Sequence, residues 1–157
     1  MANVYIVNLK DNRANHDKND DIKFETCMRN KIISIGWGSE KSRENPHFKA
    51  AINNLCRMKK GDLVWVRNPK NKNDIRLLKI ANDDVCDYME ASKDCFIDDI
   101  SAARKIEDKI IFFPPEELPK GIEKKDIVAR HTLEKVHRQF LIDATLDFAK
   151  QEKENKI

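Results

Sequence analysis

Short runs of β-branched and aromatic residues, each ended by a polar stretch, predict that most of the core elements are strands. The first run, Val4–Val7, is followed by the polar stretch 10–21, which predicts a buried strand and then an exposed loop. The alternating segment 62–67 and the apolar segment 75–80 flank an amide-rich turn at 68–73, so we predict a hairpin there. Further strands are predicted at 32–35, around Val85, at 95–97 and at 110–113.

Three segments have helical periodicity. The clearest begins at Asn45-Pro46, a capping side chain followed by a proline suited to the first turn, and is closed by Gly61. A weaker stripe containing Cys27 and Met28 precedes the second strand. A terminal helix is predicted from about Thr132 to Lys150. The residues expected on its buried face are Leu133, Val136, Phe140, Ala144 and Phe148.

These elements predict a single α+β domain with a mixed β-barrel of five to six strands, peripheral helices and a C-terminal helix. A chain of 157 residues that is 40% hydrophobic can bury one core and is short for two. We predict one domain over residues 1–150 and a frayed tail over 151–157. No apolar run approaches the roughly 20 residues of a membrane helix, and no secretory signal is recognisable, so we expect a cytoplasmic protein without membrane contact.

The net charge of +3 hides an uneven distribution along the chain. Residues 1–80 contain 17 Lys and Arg against 9 Asp and Glu, whereas residues 81–157 contain 13 against 18. The contrast is steepest between Arg57 and Lys79, where eight basic residues face only Asp62 and Asp74. A polyanion would prefer this stretch, although single lysines in it could serve only for solubility.

The residues give little support for catalysis. The four cysteines, Cys27, Cys56, Cys86 and Cys95, show no metal-ligand spacing, so we predict no metal. The four glycines form no phosphate-binding loop, which argues against a nucleotide cofactor. A magnesium-dependent nuclease remains an alternative, because Asp99 followed by Glu107-Asp108-Lys109 has the residue types of such a site.

Three short motifs carry a family resemblance. The segment Leu55–Trp65, with Met58-Lys59-Lys60-Gly61-Asp62 before a hydrophobic strand, resembles the helix-to-strand junction of EVE domains, which are relatives of PUA and YTH domains. Ile35-Gly36-Trp37 is similar to an element of the EVE-like N-terminal domains of modification-dependent restriction proteins. The C-terminal part of those domains is a third point of similarity. The matching residues here are Ala102–Ile106, Pro119, Ile122 and Arg130–Leu133.

This resemblance covers most of the chain from Val4 to Leu133 and implies a PUA/EVE-like barrel whose mouth accepts one base. The base would be flipped from a duplex or taken from a single strand. The implied ligand is modified DNA in a bacterial defence or restriction setting, with RNA also possible. Such a module is a reader rather than an enzyme, and any nuclease would be a separate chain.

A base-reading pocket needs aromatic side chains, since stacking contributes roughly 1–3 kcal/mol per base. Trp37 lies between two glycines at the end of a predicted strand, which favours a ligand-facing ring. Trp65 alternates with valines and faces either the base or the core. Asn8 and Tyr88 complete the predicted base site, and the predicted phosphate contacts are Arg13, Arg67, Asn68, Lys70 and Lys72.

A protein-interaction or regulatory module without nucleic-acid binding is a further alternative. In that case Phe140, Leu141 and Phe148 of the terminal helix would form an exposed apolar stripe for a partner.

Overall fold

A curled mixed sheet organises the fold, and helices cover both of its faces. The computed structural model describes residues 2–10, 22–36, 46–87, 102–129 and 132–154. The helices are α1 (Lys23–Arg29), α2 (Pro46–Arg57) and α3 (Gln139–Glu154), with 3-10 turns at Pro115–Glu117 and Lys124–Asp126. The strands are β1 (Val4–Val7), β2 (Ile32–Ile35), β3 (Leu63–Arg67), β4 (Ile75–Asp87), β5 (Ala102–Ile106), β6 (Ile111–Phe113) and β7 (Leu133–Lys135).

The sheet has seven strands in the described residues, with the order β2-β5-β4-β3-β1-β7 and with β6 beside β4. The β1–β3 pair is parallel and the other pairs are antiparallel. β4 is long enough to serve two parts of the sheet, because its register shifts between Ile80 and Val85. Its first half pairs with β3 and β6 and its second half pairs with β5. The predicted barrel-like α+β architecture is confirmed, with more strands than predicted.

Alternate residues of the central strands face two different hydrophobic cores. Tyr5 and Val64 belong to the core beneath α1 and α2, whereas Ile6 and Trp65 belong to the core beneath α3. Because side chains along a strand alternate between the faces of a sheet, a strand covered on both faces reads as a continuous apolar run. This explains why Val4–Val7 is buried at every position.

The Lys59–Asp62 turn joins α2 to the sheet. Gly61 has a φ of +92°, a conformation that residues with a Cβ rarely adopt. The buried Asp62 carboxylate accepts hydrogen bonds from the backbone N–H groups of Asn3 (3.0 Å) and Lys59 (2.9 Å). The glycine and aspartate of this motif therefore set the angle between α2 and β3.

Arg104 of β5 is fully buried and holds the C-terminal end of α2. Its guanidinium donates hydrogen bonds to the carbonyl oxygens of Leu55, Met58 and Asn82, each at 2.7 Å. The last carbonyls of a helix have no partner within the helix, and Arg104 supplies one from the sheet.

The C-terminal region differs from the prediction. α3 begins at Gln139, not near Thr132, and Leu133 belongs to β7, which pairs with β1. Leu141 of α3 is fully buried while Phe140 is 49% exposed, so the prediction of a buried Phe140 was wrong. The other predicted residues are buried (Leu133, Val136) or pack against the core beneath α3 (Ala144, Phe148). The stripe of Phe140, Leu141 and Phe148 does not form an exposed surface either, because Leu141 is in the core and Phe148 packs on Phe113.

Other predicted elements agree closely with the structure. β1 and β2 have the predicted bounds, β3 starts one residue later, and the hairpin turn joins β3 to β4. Val85 lies in β4 instead of in a separate strand, and the strand predicted at 95–97 lies outside the described residues. None of the described helices is long and apolar enough to cross a membrane.

Candidate nucleic-acid interface

The smaller of two adjoining concavities lies where β1 ends beside the β3–β4 hairpin, and we call it the Asn8 notch. It has a volume of about 190 Å³. The hairpin reaches it because the Asn68 N–H donates to the Asp74 carbonyl at 2.9 Å and closes the turn. The residues that line the notch are Val7, Asn8, Lys10, Arg67, Asn68, Pro69, Lys72, Ile127, Val128 and Ala129.

The two asparagines of the notch differ in what they can offer a ligand. Asn68 donates from its side-chain nitrogen to Asp74 at 3.1 Å and accepts from the Lys70 N–H at 2.9 Å, so its amide is engaged in the turn. Asn8 accepts from the Lys10 N–H at 3.1 Å, but its side-chain nitrogen has no partner within the described residues. Asn8 can therefore donate to a ligand without breaking a hydrogen bond.

Asp74 and Arg76 neutralise one another beside the hairpin. Burial alone would raise the pKa of the Asp74 carboxyl, but hydrogen bonds from Arg76 and Asn68 and the Arg76 charge outweigh it and lower that pKa below its usual value. The Arg76 Nε and Nη2 atoms lie 2.9 and 3.0 Å from the two carboxylate oxygens. Arg76 also lies over the rings of Phe24 and Phe112, at 4.8 and 4.3 Å from their centroids. This member of the basic stretch is thus not available to a polyanion.

The larger concavity, which we call the basic groove, runs between α2 and β7. Its volume is about 1050 Å³, and Arg67 and Val128 line both it and the Asn8 notch, so the two adjoin. Ala50, Asn54 and Arg57 occupy one face of α2, and the Asn54 side chain donates to the Leu133 carbonyl at 3.3 Å. The other lining residues are Arg67, Lys125, Val128, Leu133, Glu134, Lys135, Val136, His137 and Arg138.

The groove has a strong excess of positive charge. Among its described lining residues, Glu134 is the only carboxylate, against five Lys and Arg residues. Lys125 pairs with Glu123 at 3.1 Å, and this partner raises the pKa of the Lys125 ammonium group. Arg138 contacts the Asp126 carboxylate at 3.5 Å and donates to its carbonyl at 2.9 Å. Arg57, Arg67 and Lys135 form no ion pair within the described part of the chain.

The structure brings part of the predicted site together. Asn8, Arg67, Asn68 and Lys72 all line the Asn8 notch. Lys70 does not line it, and its Nζ lies 3.9 Å from a carboxylate oxygen of Glu25. Trp37, Tyr88 and Arg13 lie outside the described residues.

Trp65 has the packing role that was one of its two predicted roles. Its side chain has no exposed surface, its ring packs against Phe113 at 5.3 Å, and its Nε1 donates to Thr145 Oγ1 at 2.9 Å. The indole N–H is therefore satisfied inside the core beneath α3. In this arrangement Trp65 cannot stack on a base, and the prediction that placed it in the base site is corrected.

Sequence reasoning missed the groove residues from the second half of the chain. Lys125, Lys135 and Arg138 come from a region in which acidic residues outnumber basic ones, so local charge did not indicate them. The α2 face of Ala50, Asn54 and Arg57 was detectable, because it is the face of that helix away from the apolar stripe that contains Ala51 and Leu55.

Of the nuclease alternative, the structure describes the Glu107-Asp108-Lys109 segment but not Asp99. Lys109 Nζ lies 3.3 Å from a carboxylate oxygen of Glu152 in α3, and Asp99 is outside the described residues. The described residues also contain no group of three or more His, Cys, Asp or Glu side chains placed to hold a metal ion. Cys27 is buried and Cys56 is exposed, and neither is part of a disulfide.

Comparison with known proteins identifies a fold and no sequence family. No protein-family model matches the sequence, and no curated protein matches it. Among solved structures, the chain is similar to the YTH domain of the Zygosaccharomyces rouxii MRB1 protein, which was crystallised in complex with N6-methyladenosine RNA. The TM-score is 0.50 with 8% sequence identity, over 94% of this chain and 87% of that chain. The architecture around the groove and the notch is therefore YTH-like.

Proposed function

We propose that this protein is a nucleic-acid-binding module that reads a modified base. The observation that carries the proposal is the basic groove, in which five cationic side chains face one carboxylate on a YTH-like fold. A concave surface with this charge attracts the phosphate backbone of a nucleic acid. The YTH domain of similar fold was crystallised with N6-methyladenosine RNA, which supports a modified base as the recognised group.

Base recognition would involve the Asn8 notch, which adjoins the groove, and Trp37, which lies outside the described residues. The Asn8 side-chain nitrogen has no partner within the described residues and suits the edge of a base. Trp37 follows Gly36 directly after β2 and would supply the stacking surface. A flipped base costs a few kcal/mol to extrude, and stacking and edge hydrogen bonds offset that cost.

The remaining parts of the proposal rest on the sequence resemblance to EVE-like domains of the PUA superfamily. They are a bacterial defence or restriction role, modified DNA as the favoured nucleic acid, and a separate nuclease chain that would cut what this module reads. The cytoplasmic location expected from the sequence is also part of the proposal. On this proposal the chain itself has no catalytic activity.

The test is binding of fluorescently labelled DNA and RNA that contain either unmodified bases, methylated or hydroxymethylated cytosine, or N6-methyladenine. We expect tighter binding of one modified form, and we expect Asn8→Ala and Trp37→Ala to reduce that preference roughly tenfold. Asn71→Ala is the matched control for Asn8→Ala, because the Asn71 side chain accepts from the N–H two residues later at 3.1 Å, as that of Asn8 does. Phe112→Ala is the control for Trp37→Ala, since Phe112 is an exposed ring that lines neither concavity. If the wild-type protein bound none of these nucleic acids, the proposal would be wrong.

A further inference from the structure

We infer that the basic groove holds the sugar-phosphate backbone of a single nucleic-acid strand, an assignment that rests on the proposed function. The groove receives cations from three separate elements. Arg57 comes from the last turn of α2, Arg67 from the end of β3, and Lys135 from the end of β7. Cations from several sides can contact successive phosphates of a strand that lies inside the groove.

The lining of the groove suits a backbone better than bases. Its apolar members within the described residues are Ala50, Val128, Leu133 and Val136, and its described lining contains the imidazole of His137 but no Phe, Tyr or Trp. Unpaired bases bind proteins largely by stacking on aromatic rings. A groove with five cations and a single small ring offers phosphates their countercharge and leaves most of the base stacking to a neighbouring site.

The shape of the groove favours a single strand over a duplex. Readers of duplex DNA insert a protruding helix or β-ribbon into a groove of the DNA. Proteins that bind single strands instead enclose the backbone in a positively charged channel. The recess between α2 and β7 has the second shape, with a volume of about 1050 Å³.

Three of the cations are available for phosphates. Arg57, Arg67 and Lys135 form no ion pair within the described residues, whereas Lys125 pairs with Glu123 and Arg138 with Asp126. Each phosphate contact to a single strand contributes about −0.7 to the slope of log affinity against log salt. Three contacts therefore predict a slope of about −2.

The test compares two double variants that remove the same charge from the same kinds of position. Arg57→Ala/Lys135→Ala removes an arginine at the end of a helix and a lysine on a strand, both in the groove. Arg29→Ala/Lys105→Ala removes an exposed arginine at the end of α1 and an exposed lysine of β5, neither of which lines the groove. The probes are DNA and RNA strands of about 12 nucleotides, with and without one central N6-methyladenine, and the corresponding duplexes.

We expect Arg57→Ala/Lys135→Ala to bind modified and unmodified single strands roughly tenfold more weakly, with the ratio between them unchanged. The salt slope should become shallower by about 1.4, and the control variant should stay within about twofold of wild type. The DNA and RNA arms show which sugar the groove accepts.

Two results would overturn the inference while leaving the proposed function intact. One is wild-type affinity in Arg57→Ala/Lys135→Ala with the base preference retained, and the other is tighter binding of a duplex than of either of its strands. If the wild-type protein bound no strand and no duplex, the proposed function would fail, and this inference with it.

Discussion

Two buried polar side chains hold the C-terminal end of α2 against the sheet. Asp62 accepts two backbone N–H groups at the turn into β3, and Arg104 donates to the carbonyls of Leu55, Met58 and Asn82. Buried polar groups destabilise a fold unless they are hydrogen-bonded, and these bonds also bring distant parts of the chain together. The wall of the basic groove formed by α2 is therefore positioned by residues that do not line it.

Replacement of Arg104 tests this role. Arg104→Met keeps much of the side-chain length but leaves three buried or partly buried carbonyls without their donor, so we expect a loss of about 2–4 kcal/mol in the free energy of unfolding. The measurement is urea unfolding followed by circular dichroism. Lys105→Met on the next residue is the control, because Lys105 is exposed and such changes usually stay within about 0.5 kcal/mol. Equal stability of the two variants would contradict this account of Arg104.

At the residue scale, the sequence pattern predicts that apolar side chains alternate between the two faces of a strand. It does not predict which other elements pack on those faces. Val64 and Trp65 both lie in a strand that is buried on both faces, so alternation could not separate a core tryptophan from a ligand-facing one. Asn8, Arg67 and Lys72 were identifiable because strand ends and hairpin turns place polar residues at the surface. Their meeting in one notch depends on the parallel pairing of β1 with β3, which no local signal encodes.

Among the secondary-structure elements, those with strong local signals were predicted well. α2 has a proline in its first turn and a clear apolar stripe, and the β3–β4 hairpin has an amide-rich turn. β7 was missed because it has only three residues and is stabilised by β1, whose residues are more than 120 positions earlier in the chain. Because Leu133 and Val136 were assigned to the helix, its start was predicted too early and Phe140 was placed on its buried face instead of Leu141.

The packing of α3 predicts that two adjacent residues contribute unequally to stability. Leu141 is fully buried in the core beneath α3, whereas Phe140 is about half exposed. We expect Leu141→Ala to lower the free energy of unfolding by about 2–5 kcal/mol, because it leaves a cavity in the core. Phe140→Ala should cost much less, since its ring loses only partial contacts.

Urea unfolding of the two variants measures the difference directly. A larger effect for Phe140→Ala than for Leu141→Ala would show that Phe140 faces the core, as the periodicity from Leu133 would require.

For the whole molecule, the distribution of charge along the sequence predicted only part of the distribution of charge on the folded surface. The basic stretch from Arg57 to Lys79 contributes Arg57 and Arg67 to the basic groove, but Arg76 is neutralised by Asp74. Lys125, Lys135 and Arg138 reach the groove from the acidic half. Two of the five groove cations were thus predictable from local charge. The other three come from the 3-10 turn at Lys124–Asp126, from the edge strand β7 and from the segment that follows it.

The two hydrophobic cores should unfold together. They share β1 and β3, whose alternate residues enter one core or the other, so neither core can be lost without breaking strands that the other needs. We expect a single thermal transition with equal calorimetric and van't Hoff enthalpies. Leu55→Ala, in the core beneath α2, and Leu141→Ala, in the core beneath α3, should both shift the temperature of that one transition. Separate transitions, each moved by only one of these variants, would instead indicate two folding units.

The position of β1 between β3 and β7 has a consequence for the order in which the protein is made. β1 leaves the ribosome before β7, yet one of its two edges pairs with Leu133–Lys135 of β7. At translation rates of about 5–20 residues per second, that partner emerges on the order of ten seconds later. During this interval an apolar strand with an open edge is exposed to other nascent chains. A chain terminated between β6 and β7 would keep that edge open permanently, so it should be an aggregation-prone product instead of a smaller functional domain.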